Sequence, residues 1–150
     1  MSIEEAIHQK KFKNELHRLV VNILYTSSLL HAKHSKILKP YRISSEQYNV
    51  LRILRGQHPK QSTVTVIQER MLDKSSNASR LIDKLFKKDL VYRKECKSDR
   101  RQVDVKITDK GLELLEKLEA QVDELHSDLD NITEKEASIV NEVLNRIHGK

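Results

Sequence analysis

At 150 residues and a net charge of +6, the chain has the length of one compact domain, or of one domain with a helical extension. Charged residues make up 33%, Trp is absent and Phe occurs twice, a thin core that suits long helices completing their burial against a second subunit. Three Gly and two Pro exclude the many tight turns of a sandwich or barrel, a lone cysteine (Cys96) excludes an internal disulfide framework, and no apolar stretch approaches the roughly 18 residues of a membrane span.

The first 15 residues lack an apolar core, so no signal peptide is expected and the cytoplasm is the expected compartment. Apolar residues from Leu16 to Leu38 keep helical spacing and predict a first helix over about 12–38. Pro40 stops it, because proline cannot continue the backbone ladder. Ser44 and Gln47 then form a capping-box pair, with Ile43 and Tyr48 as its hydrophobic staple, opening a second helix that ends at Gly56 and Pro59. Ser62 and Thr63 precede a short third helix with Val66, Ile67 and either Met71 or Leu72 facing inward. A fourth helix is predicted to begin near Lys74 or Ser75. Its apolar positions Ala78, Leu81, Ile82, Leu85 and Phe86 follow i, i+3, i+4, i+7, i+8, opposite a face carrying Ser76, Asn77, Arg80, Lys84 and Lys87.

The period then changes from helical to alternating. Residues 90–95 and 103–107 read as two short strands, the second with Val103, Val105 and Ile107 alternating against Asp104 and Lys106, joined by a polar loop with two adjacent arginines. Thr108 caps a fifth helix whose apolar residues Leu115, Leu118, Val122, Leu125, Leu129 and Ile132 step by 3, 4, 3, 4, 3. Such a seam requires a partner surface, within the protomer or on a second one; the thin core favours the second. Thr133 and Glu136 form a further capping box, opening a last helix with Ala137, Val140, Val143, Leu144 and Ile147 inward.

The charge is concentrated. Residues 74–101 hold ten basic and four acidic side chains, so the whole net charge of +6 resides there and the remainder sums to zero. A polyanion is the natural partner for such an excess. Two short consecutive helices followed by a basic hairpin form a winged helix-turn-helix, which places its second helix in the major groove of double-stranded DNA. On that helix Ser75, Ser76, Asn77, Ser79, Arg80 and Lys84 are the candidate reading residues, since short polar side chains and arginine recognise base edges. Lys74, Lys87 and Lys97 are candidate phosphate contacts. At the wing tip Arg100 and Arg101 are candidates for the minor groove, with Asp99 orienting one guanidinium. The fold class expected is mainly α with a small β-hairpin wing (α+β), with long N- and C-terminal dimerisation helices. It would be one domain over 1–150, with a DNA-binding lobe at about 41–108 and a helical dimerisation lobe at about 10–38 and 109–150.

The stretches SDRRQVDVKITDKG (98–111), SSNASRLIDKL (75–85) and KKDLVYR (87–93) resemble the wing and following helix start, the recognition helix, and its exit in the MarR family of bacterial transcription regulators. The likeness spans nearly the whole chain. It implies Asp99 and Arg101 as the wing pair, with Arg101 in the minor groove. It also implies a homodimer interlocked through the first, fifth and sixth helices, binding a pseudo-palindromic operator. Many relatives are repressors released by a small molecule or an oxidant. The glycine that often precedes Leu-Val in that family is Asp89 in this chain.

Other readings have less behind them. Tyr25, Tyr41 and Tyr48, with His31 and His34, are candidates to border an effector cavity, although aromatics at helical spacing serve equally as core. His31 and His34 share a helix face, but no second ligand cluster accompanies them, and no metal or other cofactor is expected. Cys96 lies among basic residues that favour a thiolate, yet its default is an ordinary strand residue. No nucleophile elbow or phosphate-cradling glycine loop is present, so an enzyme is not expected. The rival from another class is a winged-helix adaptor that uses the basic face to dock an acidic protein.

Overall fold

A computed structural model of the chain describes residues 1–95, 102–125, 129 and 131–148. The elements in order are α1 (Ile3–Ala6), α2 (Glu15–Leu38), a 3-10 turn (Lys39–Tyr41), α3 (Ser45–Gln57), β1 (Ser62–Thr63), α4 (Val64–Arg70), α5 (Ala78–Phe86), β2 (Val91–Glu95), β3 (Val103–Ile107), α6 (Asp109–Leu125) and α7 (Glu134–His148). The mainly helical winged helix-turn-helix expected from the sequence is the fold observed.

Local chemistry sets most of the boundaries. Asn14 Oδ1 accepts from the His17 N–H at 2.9 Å, so α2 starts at Glu15, three residues later than its apolar pattern predicts. The Ser44–Gln47 capping box forms in both directions, at 3.1 and 3.0 Å. Thr133 and Glu136 likewise exchange bonds at the start of α7. After α2 and the 3-10 turn, Arg42 takes a left-handed conformation (φ 55°) that turns the chain into α3.

The three strands form an antiparallel sheet in the order β1-β3-β2, with Val91 opposite Ile107, Arg93 opposite Val105, and Ser62 also opposite Val105. The two-residue β1 is too short to leave an alternating pattern, and sequence reading assigned it only to the approach of α4. Val91, Val105 and Ile107 point into a core shared with Leu51, Leu54, Ile67, Ile82 and Leu85, so the hairpin is held on the helices by its buried face.

The heptad-like seam is divided between two environments. Leu115, Leu118 and Val122 are buried in the protomer's own core beside Leu38 and Val50. Leu129 and Ile132, by contrast, are 48% and 47% exposed. No described residue of α7 is buried, contrary to the inward face expected from Val140 and Ile147. Leu16, Val20 and Leu24 on α2, spaced i, i+4, i+8, are also exposed. The apolar stripes on α2 and α7 thus have no partner among the described residues of a single protomer.

Candidate nucleic-acid interface

The helix-turn-helix is α4, the turn 71–77 and α5. Met71 is buried, while Leu72 is exposed and its N–H donates to Asn49 Oδ1 of α3 at 2.9 Å. In the turn, Asp73 Oδ1 accepts from the Ser75 N–H at 2.9 Å and from the Ser75 hydroxyl at 2.6 Å. The Ser75 hydroxyl and N–H hold the Asp73 carboxyl below the usual carboxylate range. This local turn competes with helix, which is why α5 begins at Ala78 and not near Lys74 or Ser75.

Asn77 is the N-cap of α5, its Oδ1 accepting from the Arg80 N–H at 3.0 Å. The next free donor, the Ala78 N–H, is taken by Gln68 Oε1 of α4 at 2.9 Å. Gln68 and Asn49 therefore fix the start of α5 to the two helices behind it. Sequence reading missed both, since a lone polar residue on a helix gives no signal of its distant partner.

Of the apolar row expected on α5, Ala78, Ile82 and Leu85 are buried and Leu81 is half-buried, while Phe86 is exposed. Ser79, Arg80, Lys84 and Lys87 are exposed, and the last three fall at i, i+4, i+7 on one face. Ser75, Asn77 and Lys74 are exposed in the turn, and Ser76 is half-buried. Lys74 Nζ donates to the Glu69 carbonyl. Asn77, Arg80, Lys84 and Lys87 are thus all exposed, and the dipole of α5 favours anions at its N-terminal end.

Arg93 has a different task from its basic neighbours. Its guanidinium pairs with Asp83 and lies 4.7 Å from the Phe86 ring centroid, which clamps β2 to α5. The wing-tip candidates Asp99, Arg100 and Arg101, together with Lys97 and Cys96, lie outside the described residues.

Among the described residues, the five effector candidates have different surroundings. His34 and Tyr48 pack edge to face at 6.5 Å, and Arg52 Nη1 donates to the Tyr48 hydroxyl at 3.2 Å. The Tyr41 hydroxyl instead accepts from Gln121 Nε2 of α6 at 2.9 Å. His31 is exposed at a separate cavity with Ser35 and Glu46, and Tyr25 is half-buried on α2. The cavity of about 470 Å³ between α2 and α6 is lined by Lys33, Lys36, Ile37, Pro40, Gln121, Glu124 and Leu125, and so by none of the five. Among the described residues, no group of three or more His, Cys, Asp or Glu is placed to hold a metal ion. No helix among them is long and apolar enough to cross a membrane.

Comparison with known proteins bears on this geometry. The family model described as the MarR family matches residues 43–103, from the start of α3 to the start of β3. The chain is 30% identical over 119 residues to the HTH-type transcriptional regulator MhqR of Bacillus subtilis (strain 168), covering 75% of this chain and 77% of that protein. The crystal structure of a MarR transcription factor from Planctomyces limnophilus shares 29% identity, covers 93% of this chain and 100% of its own, and has a TM-score of 0.70. A mutant MarR from E. coli, solved in complex with operator DNA, has a TM-score of 0.75 at 24% identity, covering 92% of this chain and 99% of its own.

Proposed function

The chain belongs to the MarR family and is a DNA-binding transcription regulator, not an enzyme; from that premise we propose that it acts as a homodimeric repressor on a pseudo-palindromic operator. The observation that carries this reading is the face of α5, where Arg80, Lys84 and Lys87 project in one row from a helix whose start is tied to α4 through Gln68. In a two-fold dimer, two such helices enter successive major grooves about 34 Å apart, and a pseudo-palindrome mirrors that symmetry. Ser75, Ser76, Asn77, Ser79, Arg80 and Lys84 form the reading end. Lys74, Lys87 and Lys97 supply phosphate contacts, and Asp99, Arg100 and Arg101 carry the wing into the minor groove. The E. coli relative solved in complex with operator DNA supports DNA as the partner.

What a single protomer leaves exposed supports the dimer. Leu24 at 65% and Val140 at 53% exposure belong to apolar stripes on α2 and α7 that a second copy would cover. Residues of about 10–38 and 109–150 are the dimerisation lobe in this reading, and about 41–108 the DNA-binding lobe. The protein works in the cytoplasm, where its operator lies. A small-molecule effector that shifts the lobes is the proposed release signal, with Tyr25, His31, His34, Tyr41 and Tyr48 as the pocket candidates.

The test is selection of bound sequences from a randomised duplex pool, followed by fluorescence-anisotropy titration of the winner and a scrambled control at several salt concentrations. A palindromic winner bound at least 1,000-fold more tightly than the control is about the least expected of a specific regulator. Equal and salt-erased binding to both duplexes would leave the basic face as a docking patch for an acidic protein.

A further inference from the structure

Four cations converge on one cavity where the exit of α2 meets the C-terminal end of α5. Arg42, Ser44, Gln47, Lys84, Lys87 and Lys88 line a space of about 450 Å³, with no carboxylate among them. Lys88 Nζ donates to the Arg42 carbonyl, which ties the end of α5 to the left-handed hinge residue after α2. The Arg42, Lys84 and Lys87 side chains make no ion pair among the described residues.

The wall between these cations is polar and built. Gln47 is only 5% exposed, and the capping box commits its Oε1 to the Ser44 N–H. Its Nε2 is left with no partner among the described residues. Ser44 Oγ accepts from the Gln47 N–H at 3.1 Å and keeps its own hydrogen to donate. Burial, with the charges of Lys84 and Arg42 nearby, holds the Lys88 ammonium below the usual lysine range. No carboxylate of the lining offsets the charge on Lys88 or its neighbours.

We propose that this cavity binds a small polyvalent oxyanion of the phosphate class, and that its occupancy weakens operator binding. The second half of this statement rests on the DNA reading given above. Four positive charges, a hydroxyl donor and an amide donor suit a compact ligand with two or more negative charges; a single carboxylate would leave most of the excess uncompensated. The coupling is built into the lining. Lys84 and Lys87 belong both to this cavity and to the exposed face of α5, so an anion that engages them withdraws them from DNA. An anion that attracts Lys88 also loosens its hold on the Arg42 carbonyl, and with it the link between the long helix and α5. Because binding energies are linked, operator binding weakens the anion by the same factor.

Inorganic pyrophosphate is the probe, titrated calorimetrically into the full chain at ionic strength fixed with chloride, and then into the anisotropy assay with the selected operator. The expected result is saturable binding at one site per chain and an operator affinity lowered at least tenfold at saturation. R42Q is expected to lose pyrophosphate affinity at least tenfold while binding operator within threefold of wild type in its absence, and R42K to restore it. K88Q, read by calorimetry alone, repeats the loss with a second variant. Absence of saturable binding overturns the site, and saturable binding that leaves operator affinity unchanged overturns its regulatory role. If R42Q lowers the salt slope of operator binding and pyrophosphate does not bind, the cavity is a seat for a DNA backbone phosphate and the free-anion proposal is wrong. If wild type binds no duplex selectively, the DNA reading fails while calorimetry still decides the site.

Discussion

Gly111 of α6 faces the carbonyl oxygen of Leu90 with no room between them: a Cβ at 111 would collide with that oxygen and lie 2.7 Å from Ile107 Cγ1. The Thr108 N–H donates to the same Leu90 carbonyl at 3.1 Å, its hydroxyl donates to the Asp89 carbonyl at 2.7 Å, and that hydroxyl accepts from the Gly111 N–H at 3.0 Å. One threonine and one glycine thus lock the base of the hairpin to the first turn of α6. Gly111→Ala is expected to destabilise the fold by about 1–3 kcal/mol through this overpacking. Urea unfolding reads the loss, and an unchanged midpoint would contradict the close approach.

Asp89 gives the opposite expectation. It sits at φ 59° just beyond α5, where the Asp89 N–H donates to the Phe86 carbonyl and the Leu90 N–H to the Leu85 carbonyl, the paired bonds of a Schellman cap. A left-handed residue there favours glycine. Its carboxylate stands 3.9 Å from Lys110 Nζ on an exposed surface, a pair worth little. Asp89→Gly should therefore stabilise the protein, by up to about 1 kcal/mol after the added entropy of the unfolded chain. A lower melting temperature would show that the side chain contributes more than its geometry indicates.

The divided seam predicts two kinds of instability. Leu118→Ala, at a position with no exposure, should cost about 2–5 kcal/mol at every protein concentration. Leu24→Glu or Val140→Glu, on the exposed stripes, should leave secondary structure intact and convert a dimer to a monomer. Sedimentation velocity across a concentration series separates the two, and a Leu24→Glu protein that stays dimeric would place the interface elsewhere.

Along α5 the predicted effects differ in kind. Arg80→Ala, in the first turn of α5, should reduce discrimination between operator and control by about 1–3 kcal/mol. Lys87→Ala should weaken all duplexes alike and lower the salt slope by about 1. If Arg80→Ala keeps full sequence preference, the reading face has been assigned to the wrong residues.

Much of this arrangement was legible in the sequence because short-range chemistry encodes it. The Ser44–Gln47 and Thr133–Glu136 boxes, the apolar row of α5 and the alternation of β3 each involve residues only a few positions apart. What was not legible depends on distant partners or on competition. The start of α5 moved to Ala78 because Asp73 captures Ser75, and Gln68 could not be tied to Ala78 from spacing alone. The seam from Leu115 to Ile132 has a single period, yet its first half meets Leu38 and Val50 of the same chain while Leu129 and Ile132 remain exposed. Periodicity reports that a stripe is to be buried, not against which surface.

The most direct test of the central claim, that two copies of α5 read two half-sites in one rigid geometry, is a titration with three duplexes. They are the selected operator, the same operator with five base pairs inserted at its centre, and one with ten inserted. Five base pairs rotate one half-site by about half a helical turn, onto the opposite face of the duplex. This insertion is expected to lower affinity at least a hundredfold and to abolish the complex of two chains per duplex. The ten-pair insertion should restore the facing, though not the contact distance, and recover little. Equal affinity for all three duplexes would contradict a dimer that reads both half-sites at once.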